Sequence, residues 1–258
     1  MKDGSVRSSI EERRPVVALA AAALAILVIA ILYFTLPKGA GELLLDREQT
    51  FPFSVQNGMW IAFFVGLGEL AVRARAYQTE KRQLMLGYLP EDPRTVLQAE
   101  DLREIYKRLR ESPDRKRCFL PRLIDRCILQ FQASLSTDQS ASLMNTSMEM
   151  FVHEVDLRYN MLRYICWVIP SLGFIGTVVG IGRALATAGA EGASSDPNLL
   201  NIVTGRLAVA FDGTFLALMM ASILVFLQNV IQSKEEHVLN QAGQYCLDNL
   251  INRLYVPK

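Results

Sequence analysis

The sequence predicts an all-α integral membrane protein: four transmembrane helices, a helical cytoplasmic domain, and long helices that extend into the cytoplasm. Three observations carry this. Hydrophobic residues make up 51% of the 258 residues, only slightly more than in a soluble chain, but they are gathered into four runs, each near the roughly 20 residues that span a bilayer. Lys and Arg flank those runs mainly on one side. Between the second and third runs, apolar residues recur at helical spacing.

Taken in order, residues 1–14 are polar and end in Glu11-Glu-Arg-Arg14. Pro15 opens transmembrane helix 1, residues 15–36. The run is too long for a signal-peptide core, about 7–15 residues, and no small-x-small cleavage pattern follows in Tyr33-Phe-Thr-Leu-Pro-Lys38. Residues 37–51 form a short polar link with Gly39 and Gly41. Transmembrane helix 2, residues 52–72, begins at Phe51-Pro52, and Phe51 and Trp60 suit the interface. Glu69 is four residues from Arg73 and placed to pair with it or to snorkel.

Residues 73–160 read as the cytoplasmic helical domain. Helix 2 continues outward to Leu86, and Gly87–Pro93 is a turn. Val96, Leu102, Ile105, Tyr106 and Leu109 mark an amphipathic helix, broken at Ser112-Pro-Asp114 before the basic Arg115-Lys-Arg117. Pro121 opens a helix with Leu123, Ile124, Cys127, Ile128 and Phe131 on one face. Ser136 and Gln139 have capping-box spacing. The helix they start is expected to run unbroken into transmembrane helix 3, residues 161–187, because no Gly or Pro intervenes before Pro170. Residues 188–202 are the second outer link, where Asp196-Pro197 is a sound helix start. Transmembrane helix 4 covers residues 203–232. Residues 233–258 continue it as a C-terminal helix through Val238, Ala242, Tyr245 and Asn249, with Pro257 closing the chain.

The orientation follows from the basic residues. Arg13, Arg14, Arg73, Arg75, Arg158, Arg163 and Lys234 flank one side of the four runs. The opposite links hold Lys38 and Arg47, and no basic residue lies between Arg183 and Arg206. The positive-inside rule then puts both termini and the 73–160 segment in the cytoplasm.

Helices 3 and 4 each carry a threonine on a stripe of small residues. Gly173, Thr177, Gly180 and Ala184 share one face of helix 3, and Ala210, Thr214, Ala217 and Ala221 share one face of helix 4. Such stripes let backbones approach closely in lipid, so Gly173, Gly176, Gly180, Ala210, Gly213 and Ala217 are expected to serve helix packing. At about 1.5 Å rise per residue, both threonines fall roughly 5 Å beyond mid-membrane on the link side. A ring of hydroxyls at one depth, repeated by an oligomer, can line a thin wet path. The alternative is that each hydroxyl bonds back to the carbonyl four residues earlier. Pro170 removes one helical hydrogen bond and is expected to bend helix 3, as a hinge or as a static bend.

These residues also resemble a known family. Pro170-Ser-Leu-Gly-Phe-Ile-Gly-Thr177, followed by Val-Val-Gly-Ile, and Ala210-Phe-Asp-Gly-Thr-Phe-Leu-Ala217 are similar to the last two membrane helices of the MotA/TolQ/ExbB proton-channel family. The four-span order resembles its MotA-like branch. The resemblance implies a homopentamer around two copies of a single-span MotB/ExbD/TolR-like subunit in the bacterial inner membrane. The partner's aspartate would carry the proton, and Thr177, Thr214 and Pro170 would shape its path. Protons are implied over sodium.

Asp212 departs from the family pattern, which usually has an apolar residue there. An unpaired charged carboxylate in the membrane costs about 3 kcal/mol, so Asp212 is expected to pair with Arg183 on helix 3 of its own or the next subunit, or to handle protons itself. It lies roughly 160° around the helix from Thr214 and cannot share its face. The acidic residue that TolQ- and ExbB-type members carry earlier in this helix is absent, Val209 standing near that place.

A net charge of +1 gives no reason to expect nucleic-acid binding. Cys118, Cys127, Cys166 and Cys246 lack metal-ligand spacing and disulfide context. His153 and His237 are isolated on amphipathic helices. No nucleotide loop or catalytic triad spacing occurs, so neither a cofactor nor an enzyme is expected. Membrane lipids are the other expected partner. The competing class is a non-conducting membrane scaffold.

Overall fold

The computed structural model describes residues 9–46, 53–92, 94–190 and 197–255. They form α1 (Ser9–Thr35), α2 (Lys38–Leu45), α3 (Val55–Leu84), α4 (Ala99–Glu111), α5 (Phe119–Ser134), α6 (Thr137–Arg158), α7 (Asn160–Ala188) and α8 (Leu199–Asn249), ending in a 3-10 turn at Ile251–Arg253. Four stretches are long and apolar enough to cross a membrane: Pro15–Thr35, Val55–Leu84, the segment holding α6 and α7, and the one holding α8. The protein is an all-α membrane protein. It divides into an apolar unit, Arg13–Ala71 with Met161–Asn229, and a polar unit that includes Val72–Asn160 and Val230–Lys258.

In the apolar unit, α1 buries Ala21, Ala25 and Ile29, one stripe at four-residue spacing, and exposes Leu19, Leu27 and Phe34. A Cβ placed on Gly68 of α3 would lie 2.9 Å from the Ala21 Cβ, so only glycine permits this approach of α1 to α3. Gly66, two residues earlier, faces Leu224 of α8 and Ile165 of α7 at 3.1 and 3.4 Å. The α3 helix therefore lies against all three of the other long apolar helices.

Several local expectations need correction. Pro15 does not open α1; the helix reaches back to Ser9 and carries Pro15 inside, at the loss of one backbone hydrogen bond. The polar link holds a helix, α2 at Lys38–Leu45, which buries Leu45 completely. Asp46 ends α2 with a left-handed backbone, φ 51°. The Trp60 indole N–H donates to the Leu44 carbonyl at 3.0 Å, which ties α2 to α3. The start of α3 is Val55, where the Ser54 hydroxyl accepts from the Asn57 N–H at 3.1 Å. The Phe51-Pro52 start, the Asp196 cap and Pro257 lie outside the described residues.

The polar unit packs α4, α5 and α6 with the distal parts of α3 and α8. Leu123, Ile124, Cys127, Ile128 and Phe131 of α5 are all buried, as their common face requires. Val96 lies before α4 and is exposed, because Gln98 and Asp101 close a capping box that fixes the helix start at Ala99. Ser136 caps α6 by accepting from the Gln139 N–H, but the reciprocal bond is absent. The Gln139 carbonyl accepts from the Gln130 amide instead. A parallel β-bridge joins Leu97 to Leu254, and Arg253 donates to the carbonyls of Pro90 and Glu91 at 2.7 and 3.2 Å.

The expected unbroken helix from Ser136 through Pro170 is interrupted at Tyr159, with neither Gly nor Pro as the cause. The Tyr159 N–H bonds the Asp156 carbonyl, three residues back, which tightens the last turn of α6. The Tyr159 phenol donates to Glu235 of α8 at 2.9 Å. Arg158 reaches the same carboxylate at 3.1 Å and Glu154 at 2.6 Å, and Arg122 of α5 grips Glu154 with two bonds at 3.0 and 3.2 Å. Glu80 of α3 is buried beside this lattice and accepts the Phe119 N–H at the start of α5, at 2.9 Å.

Candidate functional site

The two small stripes pack on each other within one chain. A Cβ on Gly173 would collide with that of Ala217, and one on Gly180 would lie 2.5 Å from that of Ala210. The antiparallel register thus alternates: glycine opposite alanine, threonine opposite threonine, glycine opposite alanine. Gly176 and Gly213 belong to a different contact. They face the first turn of α3: a Cβ on Gly176 would stand 3.5 Å from Val55, and one on Gly213 would stand 3.5 Å from the Gln56 amide nitrogen.

This register brings Thr177 and Thr214 together, and their hydroxyls are in mutual hydrogen-bond contact. Thr177 is also placed to donate to the Ala210 carbonyl at 3.1 Å and, back along its own helix, to the Gly173 carbonyl at 3.2 Å. Thr214 is placed to donate across the contact to the Gly173 carbonyl at 3.0 Å. Two hydroxyls carry only two donor protons, so not all these bonds coexist. One ordering runs from Thr177 to Thr214 to the Gly173 carbonyl. The reverse runs from Thr214 to Thr177 to the Ala210 carbonyl. Rotation of both hydroxyls interconverts them.

Beside this contact lies a recess of about 100 Å³. Its polar lining comes from Asp46, Gln56, Arg183 and Arg206, and Gly176 and Gly213 form part of its wall. Arg206 is fixed at the outer end of α7, where it contacts the Thr187 hydroxyl and donates to the Arg183 carbonyl at 3.4 Å.

Within one chain no ion pair joins Asp212 to Arg183 among the described residues; the other expected partner, Arg183 of the next subunit, belongs to a second copy of the chain. Arg183 lines the recess and Asp212 does not. The reason is helical phase: Gly213 and Ala210 turn toward α3 and α7, and Asp212 lies half-buried beside them on another side of α8. Pro170 sits inside α7 without ending it. The neighbouring Ser171 hydroxyl bonds the Trp167 carbonyl at 2.9 Å, one position beyond the carbonyl that proline leaves without its donor. Cys166 donates to the buried Gln228 of α8 at 3.6 Å. Gln56, Gln228 and Arg206 were not singled out in the sequence. The available signal was an amide inside or bordering an apolar run, which is costly unless it has a purpose.

Residues 116–244 match the family described as the MotA/TolQ/ExbB proton channel family, and the chain belongs to it. The matched stretch contains α5, α6, α7 and most of α8, including both threonines. Comparison with curated proteins and with solved structures gives no match. Membership and the four apolar helices make this a multi-pass membrane protein with an ion-channel-type role.

Proposed function

We propose that the chain is the proton-conducting subunit of an inner-membrane motor, acting as a homopentamer around two copies of a single-span MotB/ExbD/TolR-like subunit. Both termini and the 73–160 domain lie in the cytoplasm, in keeping with the basic residues that flank the spans. Proton flow, driven by about 2.3 kcal/mol per charge per 100 mV plus any pH gradient, is converted into rotation or other mechanical work. The observation that carries this reading is the family match across both threonine helices. The reversible hydroxyl pair supports it. In this reading Thr177 and Thr214 hand protons past the partner's carboxylate, and Pro170 lets α7 flex. Asp212, which has no arginine partner within its own chain among the described residues, either handles protons or pairs with Arg183 of the next subunit. The small stripes no longer argue for the pentamer, since they are occupied within one chain; the family resemblance does.

A second reading has its own observation. Each threonine hydroxyl reaches a carbonyl on the opposite helix, which is what a purely adhesive polar contact in lipid would show. In that case the chain is a non-conducting scaffold. Thr→Val keeps the shape and removes the donor, and Thr→Ser keeps the donor and removes a methyl. The channel reading expects Thr177→Val and Thr214→Val to abolish most proton flux while assembly persists, and both Ser variants to conduct. A pH-sensitive dye in proteoliposomes containing the partner reads the flux. Val variants that conduct like the parent would end the hydroxyl-path reading.

A further inference from the structure

Gln56 stands on the first turn of α3, is 5% exposed, and lines the recess between α3, α7 and α8. Its side-chain amide makes no hydrogen bond among the described residues. An amide with no protein partner is costly unless water reaches it, and lipid offers it none. The recess resolves the conflict. At about 100 Å³ it has room for about three waters at the bulk volume of ~30 Å³ each. Its lining also supplies the several polar partners that such waters need: the Gln56 amide, the Asp46 carboxylate and the Arg183 guanidinium.

The recess adjoins the threonine contact. Gly173 and Ala210 line it, and they are the residues whose carbonyls receive the threonine protons. Gly213, directly before Thr214, leaves the Gln56 amide nitrogen in ordinary contact at 3.5 Å from where a Cβ would stand. A larger side chain at 213 would occupy the space in front of that amide.

We infer that Gln56 holds a small cluster of water in this recess and is a positioning residue for the ion path, keeping the link-side approach to Thr177 and Thr214 wet within each subunit. This rests on the channel reading above. It adds a helix, α3, and a residue, Gln56, to a path otherwise drawn on α7 and α8.

The test has two arms, both on the full chain with its partner. In the first, Gln56→Cys is exposed to a small, membrane-impermeant methanethiosulfonate, with Phe215→Cys on the exposed apolar face of α8 as a lipid-side control and the four native cysteines replaced. A wet recess gives modification of Gln56→Cys and little of Phe215→Cys. No modification of Gln56→Cys overturns the inference. In the second arm, Gln56→Leu should lower proton flux at least tenfold with assembly intact, and Gln56→Glu, which restores a polar group of the same length, should recover most of it. A merely structural role would not give rescue by the charged variant. If the parent conducts and Gln56→Leu conducts equally, this inference fails and the channel reading stands. If the parent itself conducts no faster than empty liposomes, the channel reading fails and takes the path role of Gln56 with it.

Discussion

Replacing Gly180 with alanine should force α7 and α8 apart, and the size of the effect follows from the contact itself. The added Cβ would lie 2.5 Å from the Ala210 Cβ and 3.2 Å from its Cα. Carbon atoms pack at about 3.5–4.0 Å, so the helices must separate locally by roughly 1–1.5 Å, and a gap of only about 0.5–1 Å already forfeits a quarter to a half of each neighbouring contact. The Thr177 bond to the Ala210 carbonyl, now 3.1 Å, would stretch beyond useful range. Overpacking of this kind costs about 1–3 kcal/mol, and the better helix propensity of alanine returns at most about 1 kcal/mol. The net expectation for Gly180→Ala is a loss of about 1 kcal/mol, the middle of the overpacking range less the propensity gain. Ala210→Gly alone should lose about 1 kcal/mol through propensity. The double swap, Gly180→Ala with Ala210→Gly, moves the single methyl to the other side of the contact and should return within about 0.5 kcal/mol of the parent. The assay is unfolding in mixed detergent by titration with dodecyl sulfate, followed by circular dichroism. A Gly180→Ala protein as stable as the parent, or a swap no better than the sum of its singles, would refute the one-methyl register.

Two further predictions concern the polar unit. Burial raises the Glu80 carboxyl from its ordinary 4.5 to about 7, against the pull of the Phe119 N–H and Arg158; Glu235 pushes it further up and Arg122 pulls it down. The folded chain thus keeps this proton between about pH 4.5 and 7 where the unfolded chain has lost it, so stability is highest at the acid end and falls as pH rises through that window. The shift corresponds to about 3 kcal/mol. Glu80→Gln, which retains an acceptor for the Phe119 N–H, should match the parent at pH 4.5 and exceed it above pH 7; equal differences at both values would sink the argument. Separately, Arg158→Met leaves the fully buried Glu235 carboxylate with the Tyr159 phenol alone among these bonds and should cost about 3 kcal/mol. Adding Glu235→Leu should recover most of that loss, as measured by the same titration.

The long helices could be read from the sequence because hydrophobic length and flanking charge are local quantities. The threonine pair was legible too, since matched small residues at helical spacing on two antiparallel helices fix depth as well as face. Three kinds of feature escaped. The break at Tyr159 has no local breaker; it coincides with two side chains that reach a carboxylate 76 residues away. The start of α4 depended on Gln98 acting as a cap, a weaker version of the usual serine or aspartate signal. Gln56 escaped because an amide at the start of a span looks like an interfacial residue until the third helix is in place.

Tyr159 divides two neighbouring helices into different mechanical classes. From Leu199 to Asn249, α8 is an uninterrupted rod, and every peptide in it shares load with the next through the same ladder of bonds. The chain of α6 and α7 is a jointed arm, and its joint at residue 159 is latched to the rod by a phenol and a guanidinium closing on one carboxylate, Glu235. The two bonds thus fasten a short turn of backbone to a continuous one, so the end of α6 is held in place by α8 rather than by its own helical ladder.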